Sequence, residues 1–347
     1  MISNQRKIYI DGLKCVAIFI VFLTHFVTYF ESAYLRLWSE PPVAYLLRGM
    51  TGKFGVAILA VCLGYFAYGS REKNASIYIV RRYFYFFISG LFINSLIAVL
   101  SYFQVCLFDN GFPAISLFIT TKVVLKESIC LGYRIYPTFW CMFAFCFGSV
   151  TAYLNGRAEI KTFGILVQML LFWLSGQIWV TICLMGCLCN CCLNNKTAGK
   201  LLAIRPVRVV LILFVFIAVL DEGGNIPQFW NGIRAMMIIL ALEESSLLQK
   251  ALSVRALSST GKNVMSVFLL HMPVLIILGD WLLHKTSGFD YKYSFFISLI
   301  SCWCMTALLA YPLTMVLNQI LSFFTKLLKK AASKLNYCLE ISSGNTE

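Results

Sequence analysis

The sequence predicts an all-α, polytopic integral membrane protein with about ten transmembrane helices. Of its 347 residues, 60% are hydrophobic and 13% are charged, and the mean hydropathy is +0.79. Soluble domains are closer to half apolar and a quarter charged. One globule of this size cannot bury so much apolar surface. Because apolar segments recur along most of the chain, we expect lipid to cover the remaining apolar surface.

The apolar segments follow one another closely. A helix that crosses a bilayer needs about 20 apolar residues, within a range of about 17 to 25. One segment, 162–193, is too long for one span, and Ser175, Gly176 and Gln177 are the natural place for a turn that makes it two. The predicted spans come from segments 13–30, 54–70, 83–103, 138–154, 162–193, 207–220, 228–242, 264–284 and 293–320.

Basic residues between the spans predict the orientation. Cytoplasmic loops carry an excess of lysine and arginine. On this rule the basic residues before the first span, after the second span, in the loop 196–208 and after the last span are cytoplasmic, and so are both termini. The net charge of +14 is then explained by membrane topology, and no nucleic-acid partner is expected. We expect the chain to lie in the plasma membrane, with membrane lipid as its immediate partner.

The rest of the chain fits a single membrane-embedded domain, 1–335, followed by a short polar cytoplasmic tail, 336–347. Residues 321–335 combine apolar positions with lysines, which predicts a segment on the inner membrane surface. The stretch 112–125 is too short to cross the membrane and is predicted to be interfacial or re-entrant.

The chain has 14 cysteines, most of them inside apolar segments, where cysteine behaves as a small hydrophobic residue. The cluster between Cys183 and Cys192 is the one group whose density raises the possibility of a metal site. Its spacing lacks the paired Cys-x-x-Cys arrangement of common zinc sites and favours packing. We therefore expect no metal.

Polar groups inside a membrane are costly and are therefore candidates for function. Lys14 and His25 are eleven positions apart, close to three helical turns, so both side chains project from nearly the same face. With Lys14 at the cytoplasmic edge, His25 lies about 16 Å deeper. An imidazole there can act as a general base near neutral pH. The alternative is a histidine that only hydrogen-bonds across helices.

Three further residues are candidates. His271 is a second histidine within a predicted span, so the two histidines can share one polar site or can each serve packing. Arg81 and Arg82 lie where the third span leaves the cytoplasm. They serve either topology alone or a site for an anion, since guanidinium groups suit phosphate.

Four motifs occur in order along the chain. They are residues 11–14 (Asp-Gly-Leu-Lys) followed by ten residues and His25, and then residues 55–65, 80–83 and 261–273. Together they resemble the motifs of the acyltransferase-3 family of integral membrane acyltransferases. The first resembles the family's opening helix, whose signature is an arginine, ten residues and a histidine. The next two are similar to its glycine-flanked second span and its basic third helix, and the last resembles its late motif, which ends in His-x-Pro.

The sequence departs from the family pattern at several of these motifs. A lysine replaces the signature arginine, which keeps the charge and loses the bidentate geometry. An alanine replaces the family's acid in the second span, a leucine replaces its serine, and aromatic residues fill the positions of the second arginine in the third helix. The departures are at Lys14, Ala57, Leu63, Phe84, Tyr85, Val264 and Met265.

The resemblance implies transfer of an acyl group from acetyl-CoA or another acyl-CoA to a hydroxyl of a cell-surface or lipid-linked glycan. His25 would be the base, and Lys14 would contact the donor. His271 would complete the site or pack against it. Arg81 and Arg82 would hold the phosphates of the donor.

Two other functions remain open from the sequence. The first is a non-catalytic carrier or flippase of polysaccharide intermediates, which would need paired acids and broken helices in the membrane. The second is a relative that has lost activity and keeps the fold. The sequence does not predict the oligomeric state, because lipid-facing and partner-facing apolar surfaces have the same composition.

Overall fold

The computed structural model describes residues 8–33, 52–102, 121–136, 140–195, 228–243, 245–286 and 288–344, with scattered positions between 200 and 213. Within these ranges the chain is helical and contains no strand. The all-α prediction is therefore confirmed for the described residues. The predicted span 207–220 and the start of the predicted interfacial stretch 112–125 lie wholly or largely outside them.

The helices differ widely in length. In chain order they are α1 Ile8–Ala33, α2 Gly52–Tyr68, α3 Ala75–Tyr102, α4 Thr121–Ile129, α5 Met142–Arg157, α6 Thr162–Leu174, α7 Ile178–Asn194, α8 Gln228–Glu243, α9 Ser246–Leu252, α10 Arg255–Lys262, α11 Val264–Val274, α12 Asp280–Thr286 and α13 Tyr291–Gly344. One π-helical turn, Leu275–Gly279, joins α11 to α12.

Among the described residues, four helical stretches are long and apolar enough to cross a membrane, and three shorter helices are also apolar. The long ones are Ile8–Thr28, Ala75–Leu100, Val264–Thr286 and Lys292–Ser333, and the shorter ones are Gly52–Tyr68, Thr162–Leu174 and Ile178–Asn194. These helices support a membrane protein. The count of about ten spans and the cytoplasmic termini remain predictions.

The predicted break in segment 162–193 is confirmed. Helix α6 ends at Leu174 and α7 begins at Ile178. Gly176 adopts a positive φ of 77°, a conformation that glycine reaches without strain. The Gln177 amide donates to the Phe172 carbonyl at 2.8 Å, and the Gly176 amide donates to the Trp173 carbonyl at 3.0 Å. This pair of hydrogen bonds is the Schellman motif, which satisfies the last carbonyls of a helix.

Helix α2 lies at the centre of the bundle and packs against α1, α5, α7 and α8. Glycines allow the backbones to approach closely, as is usual where helices associate in membranes. A Cβ atom at Gly64 would overlap the backbone carbonyl of Cys183 on α7. At Gly261, on α10, it would overlap the backbone carbonyl of Asp11 on α1. The absence of a side chain at these two glycines thus allows α7 to lie close to α2, and α10 to lie close to α1.

Helix α11 contains Pro273, which has no amide hydrogen to donate to the carbonyl four residues earlier, that of Leu269. The hydroxyl of Tyr136 donates to the Leu269 carbonyl at 3.3 Å and lies 3.5 Å from the Phe268 carbonyl. Tyr136 is 1% exposed and reaches α11 from the loop after α4. A side chain distant in sequence therefore satisfies the backbone group that the proline leaves without its helical donor.

Helix α13 continues without interruption from Tyr291 to Gly344. At a rise of 1.5 Å per residue its 54 residues extend for about 80 Å, well beyond the roughly 30 Å hydrocarbon thickness of a bilayer. Residues 321–335 therefore prolong the same helix as the predicted span 293–320. The helix also extends into the predicted tail 336–347. The location of 321–335 at the membrane surface remains a prediction.

Replacing Gly64 by alanine should destabilise the protein by about 1–3 kcal/mol, because the new methyl group would force α2 away from α7. The measurement is the midpoint of thermal unfolding in detergent. Gly288→Ala is the matched control, since a Cβ atom there meets no other atom within 4 Å. Equal midpoints for the two variants would contradict the close packing of α2 and α7.

Candidate functional site

Two histidines from different helices lie side by side. The ring centroids of His25 on α1 and His271 on α11 are 5.2 Å apart, and the ring planes are inclined by 39°. His271 is fully buried, whereas His25 is half-buried. The structure therefore brings together the two histidines that the sequence predicts to share a site, although they are separated by most of the chain.

His271 is held by the backbone of its own helix. Its Nδ1 lies 2.7 Å from the Phe268 carbonyl oxygen, and the ring of Phe268 packs against the imidazole with centroids 5.5 Å apart. The hydroxyl of Tyr136, in the loop after α4, forms hydrogen bonds with the same turn of α11. Sequence reasoning did not find Tyr136. The available signal was Pro273, because a proline inside an apolar helix leaves the carbonyl four residues earlier without its amide donor. That carbonyl then needs a donor from another part of the chain.

Lys14 lies one turn beyond Asp11 on α1 and forms an ion pair with it. The Lys14 Nζ atom is 3.1 Å from Asp11 Oδ1, and Asp11 is 2% exposed. The ammonium group also lies 4.7 Å from the centroid of the Phe66 ring on α2. Packing of α10 at Gly261 against the backbone of Asp11 fixes this end of α1. Lys14 is therefore a positioned cation with a buried carboxylate beside it.

A cavity of about 490 Å³ opens beside this ion pair. Its walls come from α1, α2, α3, α5 and α11, and most of its lining is apolar. A second cavity, of about 370 Å³, adjoins it and shares with it Ser70, Tyr78, Arg82 and Tyr85. The two cavities therefore adjoin at these residues: Lys14 lines the first, Arg81 lines the second, and Arg82 lines both.

The two arginines differ in their surroundings. Arg82 donates from Nε to the hydroxyl of the buried Ser149 on α5 at 3.0 Å, and its guanidinium carbon lies 5.1 Å from the centroid of the Phe86 ring. Arg81 is exposed, and it lines the second cavity but not the first. The Nε contact leaves the terminal amino groups of Arg82 available to a ligand in the shared part of the cavities. Ser149 is a second residue that sequence reasoning did not single out.

Phe268 links the two groups of predicted site residues. Lys14 and Arg82 line the first cavity, and Phe268 forms part of its wall. The Phe268 ring also packs against His271, whose ring lies beside that of His25. The cations and the imidazoles are therefore connected through one aromatic side chain.

Several departures from the family pattern lie in this same region. Leu63, Val264 and Met265 all line the first cavity, so three positions where the resemblance would place polar groups are apolar here. Ala57 is fully buried in the core. Phe84 stacks on Phe324 of α13 with centroids 3.7 Å apart, so it contacts a helix and lines neither cavity.

The cysteine cluster packs helices. Cys183, Cys187 and Cys189 are fully buried, and Cys183 lies against Gly148 on α5. Among the described residues, no group of three or more histidine, cysteine or acidic side chains is placed to hold a metal ion. The absence of a metal remains a prediction for the whole chain.

Comparison with known protein families identifies the chain. The acyltransferase-3 family model, described as an acyltransferase domain, matches residues 7–325. The chain belongs to the acyltransferase-3 family. The match extends from the start of α1 into α13, so it includes the histidine pair and both cavities. No curated protein and no solved structure matched the chain. Family membership supports acyl transfer as the general activity and a membrane location.

The ion pair beside the first cavity can be tested by a double-mutant cycle of Lys14→Met and Asp11→Asn. Removing Lys14 alone takes away the cation that lies 3.1 Å from a buried carboxylate, so the two changes should couple by about 1–3 kcal/mol in the free energy of unfolding. The measurement is chemical or thermal unfolding in detergent.

The exposed pair Asp280 and His284, 3.9 Å apart on α12, provides a matched control. The cycle of Asp280→Asn and His284→Gln should show no measurable coupling, because solvent screens an exposed pair. Equal coupling in the two cycles would contradict a special role for the Asp11–Lys14 pair.

Proposed function

We propose that this family member is a membrane O-acyltransferase that moves an acyl group, acetyl in the simplest case, from acyl-CoA to a hydroxyl of a cell-surface or lipid-linked glycan. The single observation that supports it best is the pair of histidines inside the bundle, next to a cation-lined cavity. The cavity offers a place for an anionic donor, and the imidazoles offer a base.

The proposed reaction needs a base at the acceptor and a path for the leaving group. The acceptor hydroxyl attacks the thioester carbonyl while His25 takes the hydroxyl proton. The carbon–sulfur bond then breaks, and the proton on His25 passes to the departing sulfur, which leaves as the free thiol of CoA. The products are the ester and CoA, and His25 returns to its neutral form.

The cations serve the donor in this proposal. Arg81 and Arg82 bind phosphates of CoA at the second cavity, since guanidinium groups donate several hydrogen bonds to phosphate oxygens. Lys14 contacts the pantetheine-phosphate arm or orients the thioester in the first cavity. The arm then extends past Phe268 towards His25, so the acyl group reaches the imidazoles from the cavity side.

The membrane arrangement follows from the same assignment. CoA thioesters are water-soluble, so the cavities with Arg81 and Arg82 would open to the cytoplasm, as the positive-inside prediction for these residues requires. The glycan acceptor would approach His25 from the other side of the membrane or from within it. The plasma membrane remains our proposed location.

One observation favours an inactive relative. Leu63, Val264 and Met265 make the wall beside Lys14 apolar at positions where the resemblance implies polar groups. A protein that uses the fold only for assembly, or only to carry polysaccharide intermediates, would show no acyl-CoA-dependent labelling of any glycan.

Replacing His25 by alanine should reduce acyl transfer roughly 10²–10⁴-fold, the usual contribution of a general base. The assay follows label from [¹⁴C]acetyl-CoA into the glycan fraction of membranes that contain the wild type or the variant. His284→Ala is the matched control, since His284 is exposed on α12 and should leave the rate unchanged. Transfer that persists at the wild-type rate in His25→Ala would disprove the base assignment.

The phosphate assignment can be tested with two donors. Arg82→Gln and Arg81→Gln should raise KM for acetyl-CoA by about 10- to 100-fold, the range expected when a charged hydrogen bond is lost. With S-acetyl-pantetheine, which has no phosphate, the same variants should behave like the wild type. Arg134→Gln is the control, because Arg134 is an exposed arginine outside both cavities. Equal losses with both donors would mean that the arginines serve the fold.

A further inference from the structure

The hydrogen bond at His271 determines which of its nitrogens carries the proton. A carbonyl oxygen can only accept, so the Nδ1 atom that lies 2.7 Å from the Phe268 carbonyl must be the donor. In a neutral imidazole the other nitrogen is then a bare acceptor. His271 is fully buried, where a charged ring without a counter-ion is strongly disfavoured. His271 is therefore a neutral ring with its proton on Nδ1 and a lone pair on Nε2.

The Nε2 atom of His271 is buried, and no hydrogen-bond donor among the described residues reaches it. A buried acceptor in that position is costly until a donor arrives. The neighbouring imidazole is that of His25, whose ring centroid lies 5.2 Å from that of His271. Two imidazoles joined by an in-line N–H···N hydrogen bond have centroids roughly 5 Å apart, because each nitrogen lies about 1 Å from its ring centre. The observed separation of 5.2 Å is therefore the separation that such a hydrogen bond requires.

We propose that His271 is a positioning residue that accepts a hydrogen bond from His25 through Nε2 and thereby fixes the tautomer and orientation of the catalytic base. This inference rests on the proposed function, since it assigns His25 its partner in acyl transfer. One N–H of His25 donates to His271, and the lone pair on its other nitrogen faces the acceptor hydroxyl.

The arrangement also serves the protonated state of His25. When His25 takes the hydroxyl proton, it becomes an imidazolium inside an apolar bundle. Its N–H to His271 is then a charge-assisted hydrogen bond, which is stronger than the neutral one. The Phe268 carbonyl keeps the proton of His271 on Nδ1, so Nε2 stays an acceptor throughout. The proton returns from His25 to the leaving sulfur and does not pass through His271.

The competing explanation is that His271 only ties its side chain to the backbone of α11. The variant His271→Asn separates the two roles. An asparagine amide can donate to the Phe268 carbonyl in place of Nδ1–H, but it has no atom at the position of Nε2. His271→Asn therefore keeps the structural contact and removes the acceptor.

Nitrogen NMR reads the tautomers directly. The chain contains three histidines, and His284 is exposed, so its signals are assigned by His284→Gln in protein labelled with [¹⁵N]histidine. In the wild type, His271 should show a protonated Nδ1 and a bare Nε2, and His25 should show a single neutral tautomer. In His271→Asn, the signals of His25 should shift to a mixture of the two tautomers. A wild-type His271 with its proton on Nε2, or an unchanged His25 in the variant, would overturn the proposal.

Kinetics provides the second measurement. His271→Asn should lower kcat about tenfold or more, since a misoriented base transfers protons less often, while KM for acetyl-CoA stays near the wild-type value. A fully active His271→Asn would also overturn the proposal. If the wild type transfers no acyl group, the proposed function fails, yet the NMR experiment still decides whether His271 orients His25.

Discussion

The arrangement of this site depends on how the protein satisfies polar groups where water is excluded. Pro273 leaves the carbonyl of Leu269 without its helical donor, and an unsatisfied carbonyl in an apolar environment is costly. The hydroxyl of Tyr136 provides the missing donor. At the same turn of α11, His271 donates to the Phe268 carbonyl and so acquires a fixed orientation. The interruption at Pro273 therefore explains why Tyr136 bonds to the turn of α11 that also carries His271.

The first helix depends on a second constraint, close backbone packing. Gly12 meets the backbone of Leu252, and Gly261 meets the backbone of Asp11, so α9 and α10 lie directly on the beginning of α1. Larger side chains would separate these helices and loosen the Asp11–Lys14 pair. Because α1 is a single rigid helix, fixing its beginning also fixes His25 three turns later. Small residues far from the histidines thus contribute to the distance between the two imidazoles.

Local patterns predict the parts of this architecture that depend on neighbouring residues. Helical periodicity places Lys14 and His25 on one face, and a glycine between polar residues predicts the turn at Gly176, which the structure confirms. The contacts of Tyr136 with α11 and of Ser149 with Arg82 join residues more than 60 positions apart. No local period encodes such pairs, so they could not be predicted. For the same reason the sequence does not predict that Phe268, which packs against His271, also lines the cavity that holds Lys14.

The separation of the cations from the imidazoles places a physical requirement on any acyl transfer at this site. Lys14, Arg82 and Phe268 line the first cavity, whereas His271 packs against Phe268 and is not part of the lining. An acyl donor held at the cavity by its phosphates would therefore have to reach beyond the cavity lining before its reactive end met an imidazole. A thioester at the end of a flexible arm meets this requirement, whereas a compact anion does not. The apolar wall formed by Leu63, Val264 and Met265 is compatible with such an arm, because the chain between the phosphates and the thioester carries no charge. The apolar residues beside Lys14 thus change only the wall that such an arm would contact, whereas His25 and His271 remain side by side.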